Sequence, residues 1–226
     1  MSRLRLCLAS LLLVGACHAG TTTSTFTHTV RAVPPAHPQI ELDRAALRAK
    51  LAERRAVVVE RFVAYRDLGV YPIEHTLGPG AQHVWIDDAG HLCAVATLIA
   101  HDWDRAAVVR AGAKDRQMRM ADVTSGPLAD WMLTSGLTRA EIVAIQAPTI
   151  GDGGGIIDDG FIDPRGMEVV RLQAMYLDVE RQLRGLWDES LDLATDALIA
   201  RSPDLARALL AGRPAGPGSF AKPAST

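Results

Sequence analysis

From Glu41 to Asp67 the apolar residues Leu47, Leu51, Val58, Phe62 and Tyr65 recur at steps of three, four or seven, and Arg44, Lys50, Arg54 and Arg61 fall mostly between them. That period predicts an amphipathic helix of about 25 residues, ended by Gly69 and Pro72. Its basic residues read as a solvated face balanced by Glu53, Glu60 and Asp67. The segments HVWID and HLCAVATLI, spanning His83 to Ile99, are rich in apolar and β-branched residues and flank Asp88-Ala89-Gly90. They predict a β-hairpin, because Gly90 can take the positive φ of a tight turn. A loop of two, three or four residues then places Ile86, Trp85 or Val84 opposite Cys93.

Beyond His101 the period becomes helical. Helices are expected over Ala106 to Met120, Pro127 to Thr134 and Thr138 to Gln146. The third has the clearest start: Thr138 and Glu141 have capping-box spacing, Leu137 and Ile142 have staple spacing, and Gly136 can end the helix before. An αα-hairpin through Trp131, Met132, Ile142 and Ile145 follows from these two. Asp163-Pro164 reads as an N-cap and first helical residue for a helix to Leu186, with Val169, Val170, Gln173, Tyr176, Leu177 and Leu183 on or near one face. Further helices are expected at about Glu189 to Arg201 and Asp204 to Ala211, the latter started by Ser202-Pro203. The sequence shows no internal repeat, and the expected fold is α+β, mostly α, with one small β-hairpin sheet.

The chain ends change the picture of where this domain works. Residues 1–19, MSRLRLCLASLLLVGACHA, combine Arg3 and Arg5 with an apolar run from Leu6 to Val14 and small closing residues, the layout of a secretory signal. Val14-Gly15-Ala16-Cys17 is similar to a bacterial lipobox, which would make Cys17 the acylated first residue and attach the chain to a membrane. Cleavage after Ala19, giving a plain secreted protein, is the alternative. Residues 20–39 are Thr-rich and then Pro-rich, and residues 212–226 are Gly- and Pro-rich; neither can bury enough surface to offset its ordering entropy. Residues 40–211 remain as a single globular domain.

Cysteine and charge narrow the chemistry. With Cys7 removed and Cys17 at the terminus, Cys93 has no partner for an internal disulfide, so the domain must hold together by burial. The chain's 48% hydrophobic content and the length of the domain permit that. The formal net charge of −2 becomes −4 without Arg3 and Arg5, and no Lys/Arg cluster interleaved with aromatics points to nucleic acid.

Cys93 as a nucleophile needs a base within hydrogen-bond reach and a group to orient that base. In a strand, His91 lies roughly 6.6 Å away and His101 roughly 26 Å; were the segment helical, His101 would still be roughly 12 Å distant. His83 across the hairpin, or His75 from the preceding loop, are the candidate bases, with Glu74 or Asp87 as orienters. The competing reading is a buried structural thiol. A metal site on His75, His83, His91 or His101 lacks any tight ligand spacing, and no cofactor is expected. The loop from Pro148 to Gly166, with Asp152, Asp158, Asp159 and Asp163, fits neither the EF-hand order nor a phosphate cradle.

Taken in order, Arg54, Tyr65, Gly69, Tyr71-Pro72, Asp87 or Asp88 with Gly90, Cys93-Ala94-Val95, Trp131, Gly136-Leu137-Thr138, Glu141 and Ile145-Gln146 resemble an uncharacterised family of exported bacterial proteins. Its pattern runs FPxN, DxxGxxCAVGxL, then W with GxTxEExxxIQ. The resemblance covers about Arg54 to Gln146 and implies export but no assigned activity. This chain departs from it at Glu74 in place of Asn, Ala96 in place of Gly, and Asp102-Trp103 in place of Ser-Gly. Two expectations follow: a lipid-anchored envelope protein that binds an envelope-protein or cell-wall partner, or a cysteine-dependent hydrolase or transferase using Cys93 with His83 or His75.

Overall fold

A computed structural model describes residues 42–73, 83–148 and 164–213. Eight helices occur among them. The first, α1 (Arg44–Leu68), starts where the Asp43 carboxylate accepts from Ala46 N at 2.9 Å and stops at Gly69, whose φ of 65° ends the helix in the left-handed conformation. Its buried stripe spans two hydrophobic cores. Leu47 and Leu51 pack with Leu191, Leu198 and Leu205, while Val58, Phe62 and Tyr65 pack with Trp85, Leu98, Trp131, Ile145 and Tyr176.

The other helices assemble around it: α2 (Ala94–Asp102), α3 (Arg105–Lys114), α4 (Pro127–Thr134), α5 (Arg139–Gln146), α6 (Pro164–Gly185), α7 (Trp187–Arg201) and α8 (Pro203–Leu210). Helix α1 packs against α2, α6, α7 and α8, and α5 closes onto α2 and α6. The capping box forms as the spacing predicts, with Thr138 Oγ1 accepting from Glu141 N and Glu141 accepting from Thr138 N. Gly136 sits at φ 80°, where a Cβ would come within 2.2 Å of Leu51 O, so the α4–α5 turn lies directly on the α1 backbone. No described helix is long and apolar enough to cross a membrane.

The small sheet is the main correction. Among the described residues there is no sheet, only an isolated antiparallel bridge between Ile86 and Leu92. The turn itself is present: Gly90 has φ 86°, and Gly90 N donates to Asp87 O at 3.0 Å. Cys93 N donates to Trp85 O at 3.0 Å, the pairing of the three-residue loop. There the extended chain ends and α2 begins. Helix α2 buries Ala94, Val95, Ala96, Leu98 and Ile99, more than half its circumference, and a helix buried that widely presents nearly the same unbroken apolar run as a buried strand. Helix α3 is also shorter than the expected Ala106 to Met120: Asp115 N closes the last turn onto Ala111 O, and residues 116–123 form turns.

Candidate functional site

Cys93 occupies the N-cap of α2, with φ −65° and ψ 167°. Its Sγ accepts from Ala96 N at 3.5 Å, and its carbonyl accepts from Thr97 N at 2.9 Å. The residue is 5% exposed and belongs to the core with Trp85, Tyr65 and Tyr176. Burial pushes the thiol up to about 12, against the Ala96 and Val95 N–H groups and the Gln146 amide, which favour the thiolate. A nucleophilic cysteine needs the opposite balance, a thiolate populated near neutral pH.

The two candidate bases fare differently. His75 and Glu74 lie outside the described residues, as do Cys17 and most of the 148–166 loop. His83 is brought near the thiol's surroundings by Gln146, at the end of α5. Gln146 Nε2 donates to His83 Nε2 at 2.9 Å and to Met118 O at 3.0 Å, while its Oε1 accepts from Met120 N at 2.7 Å. Among the described residues no hydrogen bond joins His83 to the sulfur. Burial pushes the imidazole down to about 4, with the Met118 carbonyl opposing and Arg119 adding to the fall. A neutral His83 can accept a proton, yet its Nε2 is already occupied by Gln146.

Asp87, expected as an orienter, serves another histidine. Its carboxylate accepts from Ile73 N at 3.0 Å and His91 N at 2.7 Å, and Oδ2 lies 2.9 Å from His91 Nδ1. Burial alone would push the Asp87 carboxyl up, and these donors outweigh it and hold it below the usual range. This pair fastens the turn to the start of the loop after α1. His101 is exposed at the far end of α2. Among the described residues no group of three or more His, Cys, Asp or Glu side chains is placed to hold a metal ion.

Two polar centres escaped the sequence reading. Arg55 is 0% exposed and lies on the α1 stripe between the two cores. It donates to both oxygens of Glu141, at 2.9 and 2.6 Å, to Gly136 O at 3.1 Å and to Leu183 O at 2.7 Å, and it lies 4.9 Å over the Trp187 ring. The step of seven between Leu51 and Val58 was the signal: position 55 fills the gap. The second centre is Asp102, at the C-terminal end of α2. Its oxygens accept from Arg61 Nη1 at 2.7 Å, Arg54 Nη2 at 2.6 Å and Trp131 Nε1 at 2.8 Å. A carboxylate at a helix C-terminus opposes the dipole; two guanidinium groups reverse that balance, and although burial pushes the carboxyl up, these donors hold it below its usual range.

No family model matches this chain, and comparison with curated proteins and with solved structures finds no match.

Proposed function

We propose that this chain is an exported bacterial envelope protein, attached to a membrane by lipid on Cys17, that acts by binding or by structural contact rather than by turning over a substrate. The observation that carries the reading is the placement of Cys93: its sulfur caps α2 inside the core and is held protonated by burial. The lipobox, the Thr- and Pro-rich stretch after it and the mixed surface charge fit a tethered domain that meets an envelope-protein or cell-wall partner. Helix α6 offers one such surface, with Met167 59%, Val170 65% and Leu177 45% exposed at helical spacing.

The alternative, a cysteine-dependent hydrolase or transferase, draws on one feature, the Gln146 amide that binds His83 and also favours the Cys93 thiolate. It requires the sulfur to become uncovered and ionised. Mass spectrometry of membrane-fraction protein tests the anchor: modified Cys17 as the first residue is expected, and a soluble form beginning at Gly20 would refute it. Assays of the purified chain with activated ester and thioester substrates test the activity. No Cys93-dependent turnover is expected, and turnover lost on Cys93→Ala would establish the alternative.

A further inference from the structure

Helix α7 divides its surface among three tasks. Leu191, Ala194, Thr195 and Leu198 are buried. Asp188, Asp192 and Asp196 are bound by Arg44 and Arg48 of α1. The third column, Glu189, Leu193, Ala197 and Arg201, steps by four residues along the side of α7 that borders α4 and α5, with Glu189, Leu193 and Arg201 exposed and Ala197 half-buried. Leu193 is 58% exposed, and Glu189 and Arg201 are exposed with no hydrogen-bond or ion-pair partner among the described residues. Two clefts flank the column. One, of about 250 Å³, is lined by Met132, Leu137, Ala197 and Arg201; the other, of about 300 Å³, is lined by Ala144, Val179, Leu186 and Glu189. Leu193 stands on the ridge between them and lines both.

We propose that this face pairs with the same face of a second copy of the chain, the two α7 helices running antiparallel about a two-fold axis. The order acid, leucine, alanine, base is its own complement when reversed. Antiparallel alignment sets Glu189 against the partner's Arg201 and Leu193 against the partner's Ala197, each contact occurring twice, and a two-fold interface requires such self-complementarity. The small Ala197 leaves room for the incoming leucine, which enters the cleft beside it. The charges lie roughly 18 Å apart along the helix, so the ion pairs close both ends of the apolar contact. Antiparallel helix dipoles favour the same arrangement. The pairing is independent of how Cys17 and Cys93 are read. A contact between single helices falls at the small end of specific interfaces, so the dimer is weak and forms at roughly 100 µM protein.

Sedimentation velocity of the purified full chain tests this. Mass is expected to rise toward a dimer with concentration, and Leu193→Lys is expected to keep the chain monomeric. E189R and R201E each place like charges at both ends and are expected to weaken dimerisation at least tenfold. Mixing those two variants restores opposite charges at both ends, so a one-to-one heterodimer of wild-type strength is expected, as is recovery in the double variant E189R/R201E. A wild-type chain that stays monomeric to roughly 500 µM overturns the proposal. So does a dimer indifferent to Leu193→Lys, or a mixture of the charge variants that fails to associate.

Discussion

Replacing Glu141 by Gln should destabilise the domain more than any surface change, and the structure says by how much. The substitution keeps shape and volume but leaves the guanidinium of Arg55, which is 0% exposed, without its counter-charge. It also turns an amide N–H toward a donor, since the two Glu141 oxygens accept from Arg55 at 2.6 and 2.9 Å. Breaking a buried pair by removing one partner costs about 3–5 kcal/mol, and the Thr138 capping box adds little to this because a Gln oxygen can still accept from Thr138 N. Arg55→Met should cost a similar amount, because Gly136 O and Leu183 O lose their donor while the carboxylate stays behind. The double variant R55M/E141Q should cost clearly less than the sum, as no charge then remains unpaired. Urea unfolding of the four proteins, followed by circular dichroism and tryptophan fluorescence, yields the coupling energy. Single variants within about 1 kcal/mol of wild type, or strictly additive losses, would refute the view that this pair joins the two cores.

Gly136→Ala should cost about 3 kcal/mol or more, because the position combines φ 80° with a Cβ contact 2.2 Å from Leu51 O; a loss below about 1 kcal/mol in the same unfolding experiment would mean that the turn stands clear of α1. Acid should also weaken the fold through His83. Its folded value lies near 4 against 6.5, so the unfolded chain binds a proton that the native state refuses. Stability is therefore fully present above pH 6.5 and lost as pH falls toward 4, by at most about 3 kcal/mol. A His83→Gln variant should lack that part of the pH profile, and an unchanged slope would place the imidazole in solvent.

Much of the helical frame was legible because its signals are local. Thr138 and Glu141 announce their capping box across three residues, and Gly69 closes α1 where the apolar period stops. The features that were misread depend on distant partners. HLCAVATLI contains too little periodicity to separate strand from helix, and only Trp85, Tyr65 and Tyr176 closing around Cys93 and α2 decide it. Arg55 drew no expectation from the sequence, because a buried charge is tolerable only with a specific counter-charge, and Glu141 lies in another helix. The candidate site shows the same division. Cys93 and His83 could be named as candidates from sequence, while the role of Gln146 could not, since it comes from meeting Met118, Met120 and His83 in space.

The rate at which the Cys93 thiol is alkylated in the folded chain, resolved from Cys17 by peptide mass spectrometry, most directly separates a structural cap from a nucleophile. With Cys93 5% exposed and its thiol pushed up to about 12 by burial, native protein at pH 6 and pH 8 should label with iodoacetamide only as fast as the fold opens, and urea should accelerate the reaction in step with unfolding. Rapid labelling of Cys93 at pH 6 without denaturant would contradict a binding protein and point to an ionised, accessible thiol.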